Sequence, residues 1–129
     1  MIDAVTSQFS PNLGRKMENA VAIELLRRQH DGIFHYKTKD NKEVDFVVKN
    51  GTSVSELIQV CYAIADPKTK AREVSALVKA AGEIKCGRNT VITWDEESSL
   101  QQHDISIKLV PLRRWLLDQR LTIKPHVIS

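Results

Sequence analysis

Residues 43–67 run EVDFVVKNGTSVSELIQVCYAIADP, and this stretch decides the fold. From Glu43 to Val48, the residues Val44, Phe46 and Val48 alternate with Glu43, Asp45 and Val47, the period of two that marks a strand. Asn50 and Gly51 supply a turn, and residues 53–65 form the next strand, apolar near its end as a central strand should be. Asp66 before Pro67 pairs a capping side chain with proline at the first helical position, so a helix starts here. Strands joined by so short a turn are antiparallel. The helix that follows gives the chain enough length to cross over and pair the next strand in parallel.

Upstream, Ser10 and Pro11 repeat the cap and proline, and Leu13, Met17, Val21 and Leu25 recur at helical spacing, predicting a helix from about Pro11 to Gln29. Asp31 and Gly32 break it. Ile33–Thr38 (IFHYKT) is rich in β-formers and predicts a strand, with polar residues 39–42 turning into the strand at Glu43. Downstream, Val74, Leu77, Val78, Ala81 and Ile84 make one apolar helical stripe that ends near Cys86 and Gly87. NTVITW (89–94) and DISIKLVP (104–111) predict two more strands, separated by a loop holding Asp95, Glu96 and Glu97. Pro111 then opens a last helix with Leu112, Trp115 and Leu116. The order α, β, β, β, α, β, β, α predicts an α/β domain whose mixed central sheet has about five strands. The first two helices pack on that sheet and the last covers an edge.

Composition supports a single domain over residues 1–129, with its core at about 10–118. The 129 residues are 42% hydrophobic and 27% charged, with five glycines and two cysteines, which excludes disorder and a disulfide-stapled miniprotein. No stretch approaches the roughly 20 apolar residues of a membrane span, and the first ten residues lack a signal-peptide pattern, so a cytoplasmic location without membrane contact is expected. Nineteen basic against sixteen acidic residues leave +3, which permits nucleic-acid contact without requiring it. After Ile107, only Asp118 opposes Lys108, Arg113, Arg114, Arg120 and Lys124, so the C-terminal end is the candidate for touching phosphate, with Arg113 and Arg114 foremost. The cysteines form no CxxC pair and the histidines no HExxH pattern. Walker and Rossmann glycine motifs are absent.

Three polar residues interrupt apolar patterns. On its helix, Glu18 has Gly14, Val21, Ala22 and Leu25 for neighbours, so it points toward packed structure. Asp45 sits between Val44 and Phe46, and Gln59 lies inside LIQVCY with Cys61 on the same strand face. Buried carboxylates must be hydrogen-bonded, neutralised or bound to a cation. Two acids and an amide oxygen, held by a helix and two adjacent strands, are the oxygen-rich set that suits Mg²⁺, the metal that phosphodiester cleavage uses to activate water. A structural, capped or salt-bridged role for Glu18 and Asp45 is the competing reading of the same pattern.

The segments GRKMENAVAIELLRR (14–28), KTKDNKEVDFVV (37–48) and ELIQVCY (56–62), with the later DPKTKAREVSALVKA and VITWDEE, resemble one family. It is the C-terminal domain of unknown function of prokaryotic AAA-type ATPases, which looks like a member of the PD-(D/E)xK, restriction-endonuclease-like superfamily. The resemblance runs from about Ser10 to Trp115. It implies a restriction-endonuclease-like core with a mixed central sheet flanked by helices. It also implies a Mg²⁺ site in which Glu18 is the helix acid, Asp45 the strand aspartate and Gln59 the first residue of the (D/E)xK element, with Asp45 and Gln59 as the catalytic pair. Cys61 falls on the lysine position. A thiol offers no cation to phosphate, and Gln59 brings an oxygen without charge. Lys37, Lys68 or Lys70 would substitute only if the fold turned one inward. The resemblance thus implies a nuclease-like accessory domain, weakened or inactive in catalysis, that binds nucleic acid or a partner for an ATPase module in cis or trans. An active Mg²⁺-dependent endonuclease and a pure protein-interaction module are the alternatives.

Overall fold

The computed structural model describes residues 11–28 and 32–118. Helix α1 (Pro11–Arg27) leads into β1 (Gly32–Lys37), β2 (Glu43–Asn50) and β3 (Ser53–Cys61). Then come α2 (Pro67–Ile84), β4 (Asn89–Thr93), β5 (Ser98–Gln102), β6 (Ile105–Pro111) and α3 (Leu112–Leu117). The expectations placed on Ser10, Gln29, Asp31, Arg120 and Lys124 lie outside the described residues.

The strands form one mixed sheet in the order β1-β2-β3-β4-β6-β5. The β1–β2, β2–β3 and β5–β6 pairs are antiparallel, while β3–β4 and β4–β6 are parallel. Gly51, at φ 67°, is the first of two residues between the paired Asn50 and Ser53, a conformation that a side chain at this tight turn would resist. Helix α2 supplies the crossover. Asp66 caps it by accepting from the Thr69 N–H at 3.1 Å and the Thr69 hydroxyl at 2.7 Å. Lys85 closes it in the left-handed region with its N–H on the Ala81 carbonyl.

Each face of the sheet has its own core. On one side Val74, Leu77, Ala80 and Ala81 of α2 pack on Leu57, Val91, Ile107 and Leu109. On the other, Met17, Val21 and Leu25 of α1, together with Trp115 of α3, cover Val48, Ile58 and Ile92. From Glu56 to Cys61, beyond the register shift in β2–β3, alternation sends odd-numbered β3 residues to α2 and even-numbered ones to α1 and α3, whereas Val54 before the shift packs on the α2 side.

Three expectations are corrected. The third strand stops at Cys61, and residues 62–65 turn toward the cap of α2. A sixth strand, β5, occupies the segment expected to be loop. Apart from Leu100 its residues are polar and exposed, and one apolar residue is too few to make a hydrophobic alternation. The β5–β6 hairpin turns on His103 and Asp104, at φ 52° and 66°, in place of the Asn-Gly pair that usually marks such a turn. Finally, α3 covers no edge. It lies on the sheet face over β4 and β6 and beside α1, while β5 is the edge. No described helix is long and apolar enough to cross a membrane.

Candidate functional site

Where β2 begins and β3 ends, side chains take over from the backbone ladder. The paired register runs only from Phe46↔Ile58 toward the turn. Beyond it, the Gln59 Oε1 accepts from the Asp45 N–H at 2.9 Å, and the Gln59 Nε2 donates to the Glu43 carbonyl at 3.0 Å. Asp45 answers across the same gap, its Oδ2 accepting from the Val60 N–H at 2.8 Å. Gln59 also donates to the Glu73 carbonyl of α2 at 3.3 Å, so this 1%-exposed amide ties two strands and a helix together.

Wedged between the strands, Asp45 meets acids from the helices on both faces. Glu18 of α1 stands within hydrogen-bonding reach of it, and Glu73 of α2 brings a third carboxyl group near. Burial pushes the Asp45 carboxyl from 3.8 up to about 8, the Val60 N–H opposes that rise, and Glu18 and Glu73 reinforce it. Near neutrality the Asp45 carboxyl is therefore held mostly in its neutral form. Burial also raises Glu73, against the Arg72 guanidinium 3.8 Å away.

Cys61 follows Gln59 on the α2 face, 7% exposed and packed in that core. Burial pushes its thiol up to about 12, with Glu73 adding to the rise, so it is a neutral apolar side chain. None of Lys37, Lys68 and Lys70 pairs with Asp45. Lys37 lies 3.8 Å from Glu43 and Lys70 3.7 Å from Glu96, while Lys68 is exposed. Arg72 is the cation that approaches the cluster, with its side chain 70% exposed.

The structure thus brings Glu18, Asp45 and Gln59 together with Cys61 beside them. Arg113 and Arg114 stand apart on α3. Arg113 is exposed and Arg114 is ion-paired with Glu97. Glu73 escaped the sequence reading. Its signal was its place beside Val74 and one turn before Leu77, on the flank of the apolar stripe of α2. For Mg²⁺, Glu18 and Asp45 offer carboxylate oxygens, whereas the Gln59 oxygen is turned to a backbone N–H. Among the described residues no three His, Cys, Asp or Glu side chains are grouped to hold a metal ion.

Comparison with known proteins places this chain in a wider group. A family model described as a domain of unknown function, DUF4143, matches residues 13–115. An uncharacterised protein of Methanocaldococcus jannaschii is 36% identical over 118 residues, which is 84% of this chain and 26% of the relative. The chain therefore spans about a quarter of that relative's length. No solved structure matches.

Proposed function

The chain belongs to the DUF4143 family, and from that premise we propose that it is a nuclease-like accessory domain of an AAA-type ATPase, lacking effective catalysis and holding nucleic acid for that partner. The PD-(D/E)xK frame supplies the reading. One observation carries it: Asp45 and Glu18 are together as a nuclease site would need them, while the neighbouring positions serve packing. Gln59 uses its carbonyl oxygen and both amide hydrogens on backbone groups, and Cys61 is a buried neutral thiol where the superfamily presents lysine. Phosphodiester cleavage needs a cation at the developing negative charge, and a thiol cannot supply one. Supporting an accessory role, the M. jannaschii relative is about four times as long as the region it shares with this chain, which leaves room for other modules.

The test incubates the protein with single-stranded, duplex and branched DNA in Mg²⁺ or Mn²⁺, beside Asp45→Asn. The expected result is intact DNA in every lane, with binding that weakens steeply as salt rises. Cleavage that disappears in Asp45→Asn would establish an active nuclease instead. Absence of any salt-sensitive DNA binding would turn the reading toward a protein-interaction module.

A further inference from the structure

Helices α1 and α3 leave part of their sheet face uncovered, and there a groove of about 460 Å³ opens across β3, β4, β6 and β5. Its floor changes character within one step of the strand repeat. Ile92, two residues beyond Thr90, lies in the apolar layer, and Val110, two residues beyond Lys108, packs against it. Strand register puts Ile58, Thr90, Lys108 and Ser99 in one row across the four strands. By alternation, Thr90 and Lys108 share the face of Ile92 and Val110, yet both line the groove, Lys108 exposed and Thr90 buried in its floor. A lysine between two hydroxyls, beside the apolar layer of Ile92 and Val110, is the kind of convergent polar group that marks a binding site.

The charges are sorted as well. Arg114 is ion-paired with Glu97. Arg28 holds Glu24 at 2.9 Å and the Trp115 carbonyl at 2.8 Å, and Glu56 accepts from the Thr90 hydroxyl at 2.7 Å. Lys108 and Arg88, by contrast, have no ion-pair partner among the described residues, and both line the groove. Glu56 and Asp118, also in its lining, add acceptors for hydrogen-bond donors. A ligand that carries both an anionic phosphate and hydroxyl or amino donors matches this mixed set, and the volume falls in the ordinary range for small-molecule sites.

We propose that this groove is a nucleotide-binding site, with Lys108 and Arg88 taking the phosphate and Glu56 and Asp118 accepting from sugar or base. The nucleotide is either free or part of a nucleic-acid strand. The site deepens the phosphate-binding reading above but does not depend on Asp45, which lies on β2, three strands and about 14 Å across the sheet from Lys108 on β6.

The test titrates the full chain at low salt with inorganic phosphate, adenosine 5′-monophosphate and a 5′-phosphorylated single-stranded dodecamer, following the backbone amide signals of Thr90, Ser99 and Lys108. Binding of either nucleotide probe that moves these signals is expected. Lys108→Glu should weaken it at least about tenfold and Lys108→Arg by no more than about threefold. Tighter binding of the dodecamer assigns the site to nucleic acid, and tighter binding of the monophosphate assigns it to a free nucleotide. Ser99→Asp, on the exposed edge strand, places a negative charge in the same row and repeats the test should Lys108→Glu fail to fold. The proposal is overturned if neither nucleotide saturates below about 1 mM. Unchanged affinity in the folded charge-reversal variants, or inorganic phosphate binding as tightly as the nucleotides, overturns it equally. DNA cleavage by the parent chain would sink the reading of the Asp45 site and leave this result untouched.

Discussion

Asp45 and Gln59 hold each other in place: the Gln59 carbonyl oxygen accepts the Asp45 N–H at 2.9 Å, and the Asp45 carboxyl reaches past Gln59 to the Val60 N–H at 2.8 Å. Two side chains thereby replace the backbone bonds that the β2–β3 ladder would otherwise make. The same exchange positions the Asp45 carboxyl between Glu18 and Glu73, in surroundings that disfavour its charge.

Stability should therefore fall as pH rises through this site. Asp45 titrates at about 8 in the folded chain against 3.8 in its ordinary state, so between those values the folded state holds the extra proton. Each pH unit in that window removes stability, because the unfolded chain binds fewer protons there. Asp45→Asn keeps the size and an acceptor for Val60 without the charge. It should raise the melting temperature at pH 9 and change it little or lower it at pH 5. A uniform effect at both pH values, in thermal melts followed by circular dichroism, would refute the buried-proton account.

Gln59→Glu restores the acidic residue of the nuclease motif but removes both amide donors. The Glu43 and Glu73 carbonyls then lose a partner and a further carboxylate enters an acidic pocket. A loss of about 3 kcal/mol at pH 7, smaller at pH 5, should appear in urea unfolding. Added Mg²⁺ should recover part of it only if Glu18, Asp45 and the new carboxylate can converge on one ion, so its effect measures how near the site stands to a working centre.

Cys61 should be inert in the native protein. A buried thiol raised to about 12 presents almost no thiolate at pH 8. Mass spectrometry after iodoacetamide treatment should find it unmodified until denaturant is added. Rapid native alkylation would show that the pocket around Gln59 opens.

Arg28 joins α1 to α3. Its guanidinium lies 4.2 Å from the Trp115 ring centre and bonds the Trp115 carbonyl, with the side chain only 3% exposed. Arg28→Leu should cost about 2 kcal/mol in urea unfolding, since the carbonyl loses its donor and the ring its cation. Glu24 loses its 2.9 Å bond from Arg28 as well but keeps Arg27, bonded at 2.7 Å and 3.0 Å, so no carboxylate is stranded.

By itself the sequence determined the elements whose cause is local. The Asp66-Pro67 cap, the stripe from Val74 to Ile84 and the Asn50-Gly51 turn each act over a few residues, so α2 and the β2–β3 hairpin were legible, as was their α/β class. Glu18, Asp45 and Gln59 stood out because each breaks an apolar pattern, and the fold does bring them together. Only the tertiary structure decided what they do there. Whether the Gln59 oxygen faces solvent or the Asp45 N–H depends on a strand 14 residues away. Glu73 enters the site through the packing of α2, and β5 exists because β6 offers it backbone partners, its own side chains giving no signal. Periodicity records which face a residue takes only where the strand is regular: Val44, expected beside Phe46 and Val48, packs on the α2 side while they take the other, because the β1–β2 register shifts between them. The partners waiting on that face are set by contacts distant in the chain, and those contacts fix the charge, hydrogen bonding and access on which function depends.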